Sequence, residues 1–136
     1  MDLKDALTIS ASGLKAQGAR MKVIAQNVAN ASSAADTPEG EPYRRKTISF
    51  KNELDREKGV ETVAVKKIGE DKSDFVKTHD PSHPAADDNG FVMMPNVNTL
   101  IEVMDMREAQ RSYEANLNVI EVSKTCLLYT SDAADE

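Results

Sequence analysis

Residues 3–30 read LKDALTISASGLKAQGARMKVIAQNVAN, and residues 99–124 read TLIEVMDMREAQRSYEANLNVIEVSK. In the first stretch Leu7, Leu14, Met21 and Val28 recur every seven residues, with Leu3 and Ile24 on the adjoining line. Such a narrow seam is what a helix presents to a single partner helix, whereas a helix on a globular core shows a wider stripe. Ser10 and Gln17 interrupt the adjoining line, and Ala11, Gly18, Ala25 and Ala29 form a second strip of small residues that would permit close approach. The second stretch mirrors the first: Met106, Tyr113 and Ile120 are seven apart, Val103 and Leu117 adjoin them, and Gln110 and Lys124 interrupt. Asn96 or Asn98 can cap that helix. Two helices with matching seams at opposite ends of the chain are natural partners, packed side by side as a coiled coil.

Between them the helical signal fails. Asp36 to Pro42 carries Pro38, Gly40 and Pro42 and reads as turns. Tyr43–Phe50 sets Ile48 and Phe50 on one side of an extended segment, and Val60–Ile68 alternates β-branched with polar residues. Phe75-Val76 and Phe91–Met94 each suit a short strand. The expected class is α+β, mainly α, with the two terminal helices paired around a small β-rich middle. The expected boundaries are a helical segment over 1–33, the β-rich and loop segment over 34–98, and a second helical segment over 99–128.

With 136 residues, 4% aromatic side chains and no Trp, the chain has little of the bulk that dominates core energetics. A mean hydropathy of -0.50 and 29% charged residues describe long solvated faces. A net charge of -6 and pI near 5.0 exclude the basic footprint of a nucleic-acid binder. Arg44, Arg45 and Lys46 are the only dense basic run, with no stacking platform around them. One cysteine, Cys126, allows no intrachain disulfide. No run of apolar residues reaches bilayer-spanning length. The polar residues Thr8, Ser10 and Ser12 within the least polar N-terminal run argue against a cleavable signal.

The cluster His79, Asp80, His83, Asp87 and Asp88 is the one candidate for a chemical site. Its histidines are four apart, but Pro81 and Pro84 preclude the helix that would bring them to one face. It reads as a solvated polar loop. Neither a nucleophile elbow nor a Gly-rich phosphate loop occurs, so the expectation is a non-catalytic chain without cofactor or metal.

Ala25-Gln26-Asn27-Val28-Ala29-Asn30, closing a heptad helix, resembles the N-terminal signature of bacterial flagellar axial proteins, with Ser33 where that signature usually has Thr. Thr37 to Lys46, with Pro38, Gly40, Pro42, Tyr43, Arg44 and Arg45, resembles the segment that follows this helix in the FlgC family of proximal-rod subunits. Asp80-Pro81-Ser82-His83-Pro84 through Gly90-Phe91-Val92 resembles that family's second hallmark, and it runs into Pro95-Asn96-Val97-Asn98 before a helix holding Arg111 to Asn116. The resemblance covers most of residues 3–125. It implies a structural subunit whose terminal helices line a central channel, with the β-rich middle facing outward. It further implies self-assembly with other rod proteins and the rod-base protein into a torque-bearing shaft in the periplasm. Export would then run through the flagellar type III apparatus without a cleavable signal.

Other readings are another short axial subunit, or a helical adaptor or export chaperone. After Thr125 the chain departs from the family pattern, and residues 129–136 read as a foreign or disordered tail.

Overall fold

A computed structural model describes residues 2–135. The elements in chain order are helix α1 (Leu3–Ala29), strands β1 (Lys46–Asp55), β2 (Val60–Glu70), β3 (Val76–His79) and β4 (Phe91–Met94), and helix α2 (Thr99–Asp135). The class is α+β with helix dominant, as the heptad patterns predict. Strands β1 and β2 form one two-stranded sheet, and β3 and β4 another. The chain divides into two compact units, residues 1–21, 49–67 and 107–136 in the first and residues 22–48 and 68–106 in the second.

In the first unit the two helices run antiparallel. Leu3 and Ala6 line an open notch with Leu127, Gly13 faces Asn116, Gly18 faces Tyr113, and Arg20 pairs with Glu108 at 3.5 Å. Position rises along one helix as it falls along the other. Helix α1 starts on a reciprocal cap, in which the Asp5 amide donates to Asp2 Oδ1 at 2.8 Å and the Asp2 amide to Asp5 Oδ2 at 3.2 Å. The outer part of the β1–β2 hairpin belongs to this unit: Thr62 Oγ1 donates to the Glu53 carbonyl at 3.0 Å, and the Val63 amide donates to Ser12 Oγ on α1 at 3.1 Å.

The turn joining β1 to β2 needs Gly59, whose φ of +69° is the left-handed conformation that side chains disfavour. Strand β1 runs on to Asp55, past the expected end at Phe50. The added residues are mostly exposed and polar, so backbone pairing in the hairpin rather than burial carries the strand that far.

In the second unit β3 and β4 pair antiparallel, with Val76 opposite Met94 and His79 opposite Phe91. Val92 on β4 is buried, as are Ala85 in the connecting loop, Pro95 just beyond, and Val23 and Ile24 on the end of α1. Helix α2 continues past residue 128 through the acidic segment to Asp135, so the structure places most of residues 129–136 in helix.

Candidate functional site

The residues singled out in the signature and the two hallmarks take most of their structural roles in the second unit, where they form a polar junction. Asn27 is its centre and is only 1% exposed. Its Oδ1 accepts from the Tyr43 hydroxyl at 2.7 Å and from the Lys46 amide at 2.9 Å, while its Nδ2 donates to the Lys46 carbonyl at 2.9 Å. One amide side chain thus does for the incoming strand what a neighbouring strand would do. Asn30 closes α1: its Nδ2 donates to the Gln26 carbonyl at 2.9 Å, and its Oδ1 accepts from Ser33 Oγ at 3.2 Å. Ser33, where the signature usually has Thr, thus supplies a hydroxyl to Asn30. The Tyr43 amide then donates to the Ser33 carbonyl at 2.9 Å, folding the turn segment back.

Arg45 links the strand entrance to the start of α2. Its backbone amide donates to Asn96 Oδ1 at 2.8 Å, and its carbonyl accepts from the Asp71 amide at 2.8 Å. Its guanidinium donates through Nε to Glu102 Oε1 and through Nη1 to Asp71 Oδ2 at 3.4 Å, with Asp105 Oδ2 at 3.9 Å from Nη2. Glu102 is 0% exposed, and its Oε2 is buried without a hydrogen-bond partner among the described residues. Burial alone would push the Arg45 guanidinium down, but the hydrogen bond and charge of Glu102 and the charge of Asp71 outweigh it and raise it further. Hydrogen bonds from the Ser73 backbone and side chain, then the charge of Arg45, hold the Asp71 carboxyl below its ordinary 3.8. Burial, then the charges of Glu102 and Glu70, raise the Tyr43 phenol above 10.0 and keep it a donor to Asn27.

Arg44 points elsewhere. Its Nη1 donates to the carbonyls of Asp71 at 2.9 Å and Ser73 at 3.1 Å, and its guanidinium carbon lies 4.1 Å from the centre of the Phe75 ring. Of the two capping candidates, Asn98 is the cap, with Oδ1 accepting from the Leu100 amide at 3.1 Å. Asn96 instead donates to the Asp71 carbonyl at 2.9 Å while accepting from Arg45.

The Asp80–Gly90 hallmark is the β3–β4 connection. His83 Nδ1 accepts from the Ala85 amide at 2.9 Å, and His79 meets Phe91 edge-on at 5.1 Å. Asp87 Oδ1 accepts from the amides of Asn89 and Phe91, both at 2.9 Å. Gly90 has φ +83°, and a Cβ there would sit 3.0 Å from Pro81 Cγ and 3.1 Å from His79 Nε2. Pro81 and Pro84 are exposed, as are Pro38 and Ala29; Pro42 is buried, and Gly40 turns beneath Ala35, 2.9 Å from where its Cβ would stand. Among the described residues no group of three or more His, Cys, Asp or Glu is arranged to hold a metal ion. Nor, among them, is any helix long and apolar enough to cross a membrane.

Along the helices, Ile24 is buried, and Leu7, Leu14, Met21, Met106, Tyr113 and Ile120 are half-buried. Leu3, Val28, Val103 and Leu117 are exposed. The line α2 buries beside Met106, Tyr113 and Ile120 is Glu102, Ala109, Asn116 and Ser123, with only Asn116 half-buried. Small and polar residues carry no hydrophobic signal, which is why the apolar pattern points to Val103 and Leu117 instead. On α1, Ser10 and Ala16 are likewise buried.

Comparison with known proteins assigns this arrangement. Residues 7–34 match the family model described as Flagella basal body rod protein, and residues 88–132 match Flagellar basal body rod FlgEFG protein C-terminal. The chain is 54% identical over 130 residues to the flagellar basal-body rod protein FlgC of Agrobacterium fabrum, covering 96% of this chain and 94% of that one. It is 36% identical to the FlgC of Salmonella typhimurium, over 96% of each chain. It is 37% identical to that of Bacillus subtilis, over 90% of this chain and 91% of the relative. A helix-flanked chain matching rod-protein models near both ends falls in the class of flagellar basal-body rod proteins. Within that class, the chain belongs to the FlgC family. It is a structural subunit of the basal body and not an enzyme.

Proposed function

We propose that this chain polymerises with other rod proteins into the proximal part of the flagellar drive shaft, through the outward faces of its two terminal helices. The observation that carries this reading is where α2 spends its apolar residues. Leu100 is 70% exposed, Met104 62% and Val122 62%, while Glu102, Ala109 and Ser123 are turned inward. A single chain that covers small and polar positions and leaves large apolar ones in water has surface to give to neighbours. A helical polymer needs two different such surfaces per subunit. The exposed Leu3, Val28, Val103 and Leu117, together with the small Ala11, Ala25 and Ala29, supply the rest of these faces. In this reading the subunit bears torque, encloses the export channel, stands in the periplasm beside the rod-base protein, and leaves the cell through the type III export apparatus without a cleavable signal.

Replacement at the exposed positions tests it. In cells lacking their own copy, the unaltered chain restores swimming, and Leu100→Glu with Met104→Glu does not, although the purified variant keeps the helical circular dichroism of the parent. Swimming fully restored by the double variant would contradict the proposal.

A further inference from the structure

The seam between α1 and α2 in the first unit is degenerate. Leu7, Leu14 and Met21 on one helix, and Tyr113 and Ile120 on the other, repeat every seven residues. Sliding one helix past the other by seven residues again sets apolar against apolar, so the apolar pattern leaves the alignment open.

The two glycines of α1 within this unit's seam stand where α2 presents side chains. A Cβ on Gly13 would lie 2.9 Å from both Oδ1 and Nδ2 of Asn116 and 3.1 Å from its Cγ. The Asn116 amide is engaged, since its Nδ2 donates to the Ser112 carbonyl at 3.0 Å. At Gly18 the Tyr113 ring lies 4.0 Å from the Cβ position, in ordinary contact. Slid by seven residues, Asn116 would meet Ala6 or Arg20 instead of Gly13, and each carries a Cβ where Asn116 needs space.

We propose that Gly13 and Asn116 form a register key: a peg and a hole that let one antiparallel alignment of the terminal helices close and reject its heptad-shifted neighbours. They are positioning residues. The alignment they select decides which side chains α1 and α2 turn outward, so the functional weight of the key rests on the assembly reading above. A polar side chain at one seam position is a known way to specify register at some cost in stability.

Thiol crosslinking in the full chain tests the key. In a Cys126→Ser background, Arg20→Cys with Glu108→Cys, bridged by a short bifunctional thiol reagent, reports the native register. The ends of the Arg20 and Glu108 side chains meet at 3.5 Å, a reach that two cysteines alone do not span. Arg20→Cys with Ala115→Cys, and Arg20→Cys with Ile101→Cys, report the alignments shifted by seven residues in the two directions. With the key intact the 20–108 crosslink dominates, in the purified chain or in isolated basal bodies. Asn116→Ala lowers the ratio of native to shifted crosslink about tenfold, the size of a typical coupling between contacting residues. Gly13→Ala, which ordinarily favours a helix, lowers the melting temperature here, and adding Asn116→Ala restores the melting temperature without restoring the selectivity.

An unchanged ratio in the Asn116→Ala chain would overturn the key and place the choice of register elsewhere in the protein. So would a Gly13→Ala chain that melts higher with Asn116 present, or a dominant 20–115 or 20–101 crosslink with the key intact. Swimming of the complemented cells reads the assembly proposal separately, so a failure of one is not mistaken for a failure of the other.

Discussion

Glu102 sits fully buried in the first turn of α2, and Arg45 is the cation hydrogen-bonded to it. Removing Arg45 would leave a buried carboxylate unpaired, the situation in which breaking an ion pair costs most. Arg45→Ala should destabilise the chain by about 3 kcal/mol in urea unfolding, and Arg45→Lys should recover only part of this, because Lys lacks the fork that reaches two acids at once. Asn27→Ala removes three hydrogen bonds from a buried position and should cost about 2–3 kcal/mol by the same measurement. Asp71 sets a pH dependence. Its folded carboxyl is held below 3.8, so its contribution is fully present above that value and is lost as pH falls through the lower folded one. Near neutrality that contribution does not change with pH, so Asp71→Asn should lower the melting temperature there by a constant amount. Below about pH 4 it should fall less steeply in Asp71→Asn than in the parent. At this scale the sequence shows that Asn27, Arg45 and Asn96 are motif members but hides what each does, because hydrogen bonds across the fold leave no trace in spacing.

At the level of elements, the helices were the most legible part, since a seven-residue repeat sustained over several turns has few other readings. The strands were legible in place more than in extent: β1 outruns its apolar residues because a hairpin partner supplies the backbone bonds. The β3–β4 connection shows why its proline- and glycine-marked pattern takes that form. Gly90 must adopt a left-handed φ directly against Pro81 and His79. Gly90→Ala should therefore cost about 1–2 kcal/mol from the backbone alone. The loss should be local, seen as faster hydrogen exchange at Val76–His79 and Phe91–Met94 than elsewhere. Uniform acceleration along the whole chain would contradict that local account. The buried line Glu102, Ala109, Asn116 and Ser123 was not legible at all, because a hydrophobic pattern cannot announce residues that are buried for being small or for having a partner.

For the whole molecule, family membership and surface chemistry agree. The chain is a flagellar rod subunit with large apolar side chains of α2 left in water and a polar junction fixing the segments around its start. Sequence could reach this reading through ordered motifs, since the seams alone would also fit a small bundle. The central claim is that this chain builds the rod, and electron microscopy of basal bodies from cells lacking it tests that most directly. The account predicts basal bodies without a completed rod or hook, both restored when the chain is supplied. Complete rods and hooks in cells lacking any copy of the chain would contradict it.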